Sequence, residues 1–95
     1  IKDYSLKEVR DAISISFQSP TLFKGTVIEN LKRGNKNATK EEIIEACKVA
    51  DCYDFVVNKL SDGFNTTISQ GGTSVSGGQR QRLCIARALI NVRKF

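Results

Sequence analysis

Apolar residues recur at three- and four-residue spacing along most of this chain, which is the pattern of amphipathic helices. In one such segment Ile43, Ala46, Cys47 and Ala50 form a stripe, and charged residues fall on the opposite face. The pattern predicts four or five short helices. Most of them open with Ser or Thr followed three residues later by Glu or Gln, the sequence of a capping box. The predicted caps are Ser5, Thr26, Thr39 and Ser76.

Residues 12–17 break this pattern, because apolar and small polar residues alternate there with a period of two. The alternation predicts a short leading strand with Ile13, Ile15 and Phe17 on one face, after a first helix that ends near residue 11. A single strand cannot form a sheet alone. The predicted fold class is therefore mainly α, a helical subdomain with a short leading strand that belongs to a larger α/β protein.

Turn-forming residues mark the ends of several elements. Pro20 would end the strand and leave Gln18 at its edge, because proline cannot extend a hydrogen-bonded ladder. Gly34 is predicted to end the second helix, residues 27–33. Asp51 is predicted to cap a fourth helix over residues 52–60.

Composition bounds the size and the partners of the chain. Its 95 residues suffice for one domain with a modest core. Fifteen Lys and Arg against ten Asp and Glu leave a net charge of +5, which fits anionic partners but also serves solubility. No apolar run approaches the ~20 residues of a membrane span. The chain begins with Ile1 rather than Met, so we expect a piece of a longer protein.

Three cysteines and the absence of histidine limit the possible chemistry. Without His, the chain cannot supply a His-based triad or a His general base. Cys47, Cys52 and Cys84 occupy apolar positions of the predicted helices and form no CxxC pair. They therefore indicate reduced core thiols rather than a zinc site.

The clearest chemical signal lies at the start of the last helix. With Ser76 as N-cap, Gly77 and Gly78 fall in the first turn, where each costs roughly 1 kcal/mol of helix propensity relative to Ala. Free amides, a hydroxyl and the positive end of the helix dipole make such a helix start an anion site, most often for phosphate. On spacing alone, a glycine-containing loop before a surface helix remains the alternative.

Two stretches resemble the motifs of a known family. Residues 75–79, VSGGQ, resemble the LSGGQ signature of ATP-binding cassette (ABC) proteins, and RQRLCIARAL at 80–89 is similar to the helix that follows it. Gln18 and the LFKGTVIENL of residues 22–31 resemble the Q-loop and the LFxxTIxENI stretch of exporter-type cassettes. The resemblance covers residues 3–95. It implies part of an exporter-type nucleotide-binding domain, excised from an α/β P-loop NTPase cassette, with a Q-loop strand region at 1–20, a helical subdomain at 21–74 and the signature motif and helix at 75–95.

The resemblance implies an ATPase in which two cassettes close head to tail on ATP and Mg²⁺. By position, Ser76, Gly77, Gly78 and Gln79 would bind ATP held by the opposing cassette. The hydroxyl of Ser76 and the N–H of Gly78 would contact its γ-phosphate, and Gln79 would brace the loop near the ribose. Gln18 would be catalytic, near Mg²⁺ and the attacking water. The implied partners are the opposing nucleotide-binding domain, as a homo- or heterodimer, and the coupling helices of a transmembrane domain. No nucleic acid is expected, and the location would be the cytoplasmic face of a membrane.

Several parts of that machinery do not occur in the sequence. There is no GxxxxGK[ST] phosphate loop, no Walker B strand and no switch histidine. We therefore expect the isolated chain neither to bind ATP tightly nor to hydrolyse it, so that ATP and Mg²⁺ belong to the full-length protein only. Val75 replaces the usual Leu of the signature, and Ser69 and Gln70 stand where the family commonly has Gly and Glu.

Two other functions stay open. A cassette from a non-transport ABC ATPase would share the signature, although the LFxxTIxENI-like stretch argues against it. A basic nucleic-acid-binding helical module would present cationic side chains to phosphates, but the chain lacks the aromatic platform of a single-strand reader. The cationic residues in question are Arg80, Arg82, Arg87, Arg93 and Lys94.

Overall fold

The structure is a computed structural model that describes residues 4–18, 21–33, 35–69 and 75–92, and these are mainly helical. Two short strands, β1 (Gly25–Thr26) and β2 (Thr67–Ile68), form an antiparallel pair with Gly25 opposite Ile68. A 3-10 turn precedes β2 at Gly63–Asn65. The predicted mainly α fold class is confirmed. The helices are α1 (Leu6–Gln18), α2 (Val27–Leu31), α3 (Lys40–Val49), α4 (Tyr53–Lys59) and α5 (Gly77–Val92).

Helix α5 lies at the centre of the packing, because α1, α2 and α3 all contact it. Its inward face is almost completely removed from solvent, and burying each large aliphatic side chain contributes about 1.5–3 kcal/mol. Buried side chains of α3 belong to the same core. The buried residues of α5 are Leu83, Cys84, Ala86, Ala88, Leu89 and Ile90.

All four predicted capping boxes are present. In each, the Ser or Thr hydroxyl accepts from the backbone N–H three residues later, and the Glu or Gln side chain accepts from the backbone N–H of the cap. The bonds measure between 2.7 and 3.1 Å. Local sequence alone therefore determines where α1, α2, α3 and α5 begin.

The box that opens α2 also explains a glycine. Gly25 has a φ of 147°, a conformation that side-chain-bearing residues rarely adopt. A Cβ there would lie 2.8 Å from Oε1 of Glu29. That oxygen accepts the backbone N–H of Thr26 at 2.7 Å. The position therefore excludes a side chain for both conformational and steric reasons.

The predicted leading strand at residues 12–17 is wrong, because α1 continues through this segment to Gln18. Among the described residues the two strands pair with each other, so residues 12–17 meet no sheet edge. A helix satisfies its own backbone groups and needs no such neighbour. The cost is visible in exposed apolar side chains, with Ile15 at 46% and Phe17 at 71% of full exposure.

The predicted start of the fourth helix is also wrong. Asp51 does not cap α4, since Cys52 is the residue that precedes the helix and it makes no side-chain cap bond. Asp51 instead has a φ of 61°, in the left-handed region where helices often end. The residue therefore closes α3 rather than opening α4, and α4 is correspondingly shorter than predicted.

Other boundaries differ less. Helix α2 ends at Leu31 with Lys32 as its C-cap, slightly before the predicted end. The 3-10 turn is followed by the short strand Thr67–Ile68. The predicted roles of Pro20 and Gly34 fall outside the described residues.

The placement of Asp51 can be tested through stability. Asp51→Gly should leave the free energy of unfolding unchanged or raise it by up to about 1 kcal/mol, because glycine adopts the left-handed conformation without steric cost. The matched control is Asp54→Gly in the first turn of α4, which should destabilise by about 1 kcal/mol. Urea unfolding of the domain that contains this chain measures both. A loss for Asp51→Gly as large as that for Asp54→Gly would contradict the assignment.

Candidate functional site

The predicted anion site at the start of α5 is formed by a closed capping box and two open glycines. The hydroxyl of Ser76 accepts from N–H of Gln79 at 3.1 Å, and Oε1 of Gln79 accepts from N–H of Ser76 at the same distance. Between them Gly77 and Gly78 form the first turn, and both are exposed. Their N–H groups have no partner within the helix, because first-turn amides lie before the hydrogen-bond ladder begins. Two backbone donors therefore face outward beside a serine hydroxyl.

The described residues give no structural reason for either glycine. A Cβ at Gly77 or Gly78 would meet nothing within 4 Å. Neither residue has a positive φ among the described backbone. Both glycines nevertheless weaken the helix by roughly 1 kcal/mol each relative to Ala. No contact among the described residues therefore explains the two glycines. The open space around them is suited to a group that approaches from outside the chain.

The charge pattern of α5 also fits an anion. The first turns of the other helices all carry acidic residues, which stabilise the positive end of the helix dipole. The first turn of α5 carries none. Arg80 and Arg82 follow within the next turn instead. The start of α5 thus keeps a positive field that the other helix starts neutralise.

Gln18, the predicted catalytic residue, lies on a different element. It is exposed at the C-terminal end of α1 rather than at the edge of a sheet. The structure joins α1 to α5 close by, where Nε2 of Gln81 donates to Oγ of Ser16 at 2.8 Å. Ser16 is 1% exposed and donates in turn to the carbonyl of Ile13 at 2.8 Å. The sequence offered no signal for this buried polar link.

A second region is formed by the stretch at residues 22–31. The buried side chain of Asn30 accepts from N–H of Phe23 at 2.7 Å, donates to the carbonyl of Phe23 at 2.8 Å, and donates to the carbonyl of Thr26 at 3.0 Å. One asparagine thus satisfies three backbone groups of the loop before α2. Its place inside the LFxxTIxENI-like stretch was visible in the sequence, but its bonding was not.

The ring of Phe23 lies between two cationic side chains. The guanidinium of Arg33 stacks 3.7 Å from the ring centroid, and that of Arg87 lies 5.9 Å away. Arg87 also donates to the carbonyl of Thr21 at 2.8 Å. The cation of Arg87 is therefore engaged inside the chain, which weakens the case for a row of arginines offered to nucleic acid. Arg93 and Lys94 lie outside the described residues.

A groove with a volume of about 410 Å³ lies between α2, α3 and the 3-10 turn. Ile28, Ile43 and Phe64 line its walls, and Lys32 and Lys40 contribute the charge. We call Phe23, Ile28, Lys32 and Arg33 together the α2 surface. This surface combines apolar side chains with positive charge, a combination suited to a docking segment of another domain. None of the helices that the structure describes is itself long and apolar enough to cross a membrane.

Comparison with known proteins identifies the family. A family model described as ABC transporter matches residues 1–95. The chain belongs to the ABC transporter family. The predicted recognition, an exporter-type nucleotide-binding domain of this family, is confirmed.

The relatives of this ABC transporter chain are much longer proteins. Leptomycin B resistance protein pmd1 of Schizosaccharomyces pombe is 47% identical over 91 residues, which are 95% of this chain and 7% of that protein. P-glycoprotein 14 of Caenorhabditis elegans is 41% identical over 90 residues, 95% of this chain and 7% of that protein. A solved bacterial Atm1-family ABC exporter with ATP bound is 35% identical with a TM-score of 0.69, covering 75% of this chain and 12% of that chain. The chain spans 7% of the length of each of these two curated relatives.

The structural role of Asn30 can be tested by removing its side chain. Asn30→Ala should lower the free energy of unfolding by about 2–4 kcal/mol, because three buried backbone groups lose their partner at about 1 kcal/mol each. Urea unfolding of the domain that contains this chain measures the change. Asn37→Ala is the matched control, since Asn37 is exposed in the loop before α3. Equal stability of the two variants would show that the Asn30 bonds contribute no net stability.

Proposed function

We propose that this chain supplies the signature half of an ATP site in an ABC exporter. In the assembled protein, Ser76, Gly77, Gly78 and Gln79 contact the γ-phosphate of ATP that the opposing nucleotide-binding domain holds. The observation that carries the proposal is the pair of open glycines. They cost helix stability, and a Cβ at either one would contact none of the described residues. The acid-free first turn supports it, because an anion takes the place that acidic side chains take on the other helices.

The residues present fit a phosphate. The hydroxyl of Ser76 uses a lone pair to accept from Gln79, so its own O–H is available to donate to a phosphate oxygen. The N–H groups of Gly77 and Gly78 offer two further donors. Hydrogen bonds to charged groups contribute about 1.5–3 kcal/mol each. A few such bonds suffice to make the approach of two cassettes depend on ATP.

The remaining roles belong to the same proposal. Gln18 has the amide oxygen that Mg²⁺ accepts as a ligand, and its exposed position leaves it accessible to a site outside this chain. ATP hydrolysis is the activity of the full-length protein, since the sequence contains no GxxxxGK[ST] phosphate loop. The groups of this chain bind the phosphate on one side, orient it there and exclude water from that side.

We further propose that the α2 surface receives the coupling helices of a transmembrane domain. Its apolar groove offers a place for a short helix, and Arg33, exposed above Phe23, offers a cation to the docking segment. Helix α5 joins this surface to the phosphate-contacting end, because Arg87 on its C-terminal half bonds the loop at Thr21. This proposal implies a location at the cytoplasmic face of a membrane.

A substitution that separates stability from activity tests the phosphate contact. Gly78→Ala should raise the free energy of unfolding by up to about 1 kcal/mol, because Ala is the better helix former and the structure leaves room for its methyl group. In the full-length protein the same methyl group would stand where the phosphate approaches, so ATP turnover should fall at least about tenfold, the effect of about 1.4 kcal/mol on the barrier. Urea unfolding and phosphate release measure the two effects.

The matched control for that experiment is Asn58→Ala. Asn58 is exposed in α4, so the change also improves helix propensity but lies outside the proposed site. It should leave ATP turnover unchanged. Wild-type turnover in Gly78→Ala, with the stability gain present, would remove these glycines from the mechanism.

The coupling role is tested by reversing one charge. Arg33→Glu in the full-length transporter should lower the amount of substrate transported per ATP hydrolysed. The docking segment would lose its contact with the Arg33 cation and would meet the negative charge of Glu instead. Lys59→Glu makes the same charge change at the end of α4 and should leave the ratio unaltered. An unchanged ratio in Arg33→Glu would exclude this residue from coupling, whatever the outcome at Gly78.

A further inference from the structure

The junction between α3 and α4 brings together two buried cysteines. N–H of Cys52 donates to the carbonyl of Cys47 at 2.9 Å, and N–H of Asp51 donates to the carbonyl of Lys48 at 3.2 Å. With Asp51 in the left-handed conformation, these are the two hydrogen bonds of a Schellman helix end. That geometry packs the residue after the left-handed position onto the third residue from the helix end. Here these two residues are Cys52 and Cys47.

Both thiols are removed from solvent. Both cysteines are free and both are 0% exposed. Hydrogen bonding to the neighbouring Cys47, followed by burial, raises the pKa of Cys52 far above its ordinary value. The charge of Asp51 acts in the same direction, and Arg82 on α5 acts against it. Cys84, the third buried thiol, has a pKa raised chiefly by burial.

We propose that Cys47 and Cys52 are a redox modification site, a dithiol that a small-molecule disulfide oxidises to an intramolecular disulfide. Two S–H bonds break and one S–S bond forms. The two electrons and two protons pass to the disulfide reagent, which leaves as two thiols. The product joins the end of α3 to the start of α4. The proposal is independent of the phosphate contact at α5.

Access to the pair requires a local opening, and three features of this junction lower its cost. Helix α4 has seven residues and begins without a side-chain cap. The non-glycine residue at positive φ before it, Asp51, adds a conformational cost to the closed state. Segments with such weak starts open more readily than the core. Once one thiol has formed a mixed disulfide, its neighbour is already in place to displace the reagent.

The sequence provides a direct readout, because trypsin cleaves after Lys48, between the two cysteines. The native full-length protein is treated with hydroxyethyl disulfide, quenched with acid, denatured, alkylated with N-ethylmaleimide and digested. We expect the alkylated peptides 41–48 and 49–59 to be lost together. A linked species should replace them, lighter than the two thiol peptides by two hydrogen atoms, and reduction should reverse the change. The peptide that contains Cys84 should remain alkylated.

Matched variants separate pairing from general reactivity. Cys84→Ala removes a thiol that is equally buried and should leave the linked species unchanged. Cys47→Ala and Cys52→Ala should each abolish it. The comparison of the wild-type protein with Cys84→Ala does not depend on how well the other two variants fold.

Two results would overturn the proposal. One is the recovery of both peptides as alkylated thiols from the native protein under conditions that oxidise the denatured protein. The other is a preferred link from Cys84 to either of the two cysteines, which would show that general exposure rather than the helix junction decides the pairing.

Discussion

The burial of one face of α5 against α1, α2 and α3 is the interaction on which this structure depends. The buried residues from Leu83 to Ile90 hold the middle of the helix in the core. The first turn projects beyond that core, where Gly77 and Gly78 are exposed. A site on the end of a packed helix is held more precisely than one on a loop, because the core restricts the whole element. Apolar packing of α5 therefore fixes the orientation of the proposed phosphate contact.

The same helix connects two regions with separate local chemistry. Ser76 stands at its start, and Arg87 bonds the carbonyl of Thr21 nearer its other end. Eleven residues of helix separate them, a span of about 16 Å at 1.5 Å per residue. Between these ends Gln81 joins α1 through Ser16. In the proposed coupling, this helix rather than a flexible loop would transmit a displacement of the α2 surface to the start of α5.

Local sequence preference and the observed fold disagree at two places in the described chain. Residues 12–17 alternate as a strand does but form part of α1, and the result is exposed apolar side chains such as Phe17. At the end of α3 a left-handed Asp51 leads directly into a helix without a side-chain cap. Natural sequences are usually consistent between local preference and fold, so these places mark where context outside the local segment matters.

The sequence by itself determined the starts of α1, α2, α3 and α5, the mainly α fold class and the family. A capping box uses residues only three positions apart, so the starts at Ser5, Thr26, Thr39 and Ser76 could be located without any knowledge of the fold. Spacing also identified the buried stripes of α3 and α5, since helical periodicity needs only the local chain.

Tertiary structure decided what depends on distant partners. Whether residues 12–17 form a strand or a helix depends on a neighbouring strand, which no local pattern can supply. The three bonds of Asn30, the Arg33 stack on Phe23 and the backbone bond from Cys52 to Cys47 each depend on how the backbone turns between the residues. The open space around Gly77 and Gly78 likewise depends on which residues pack nearby, and only the folded structure shows this.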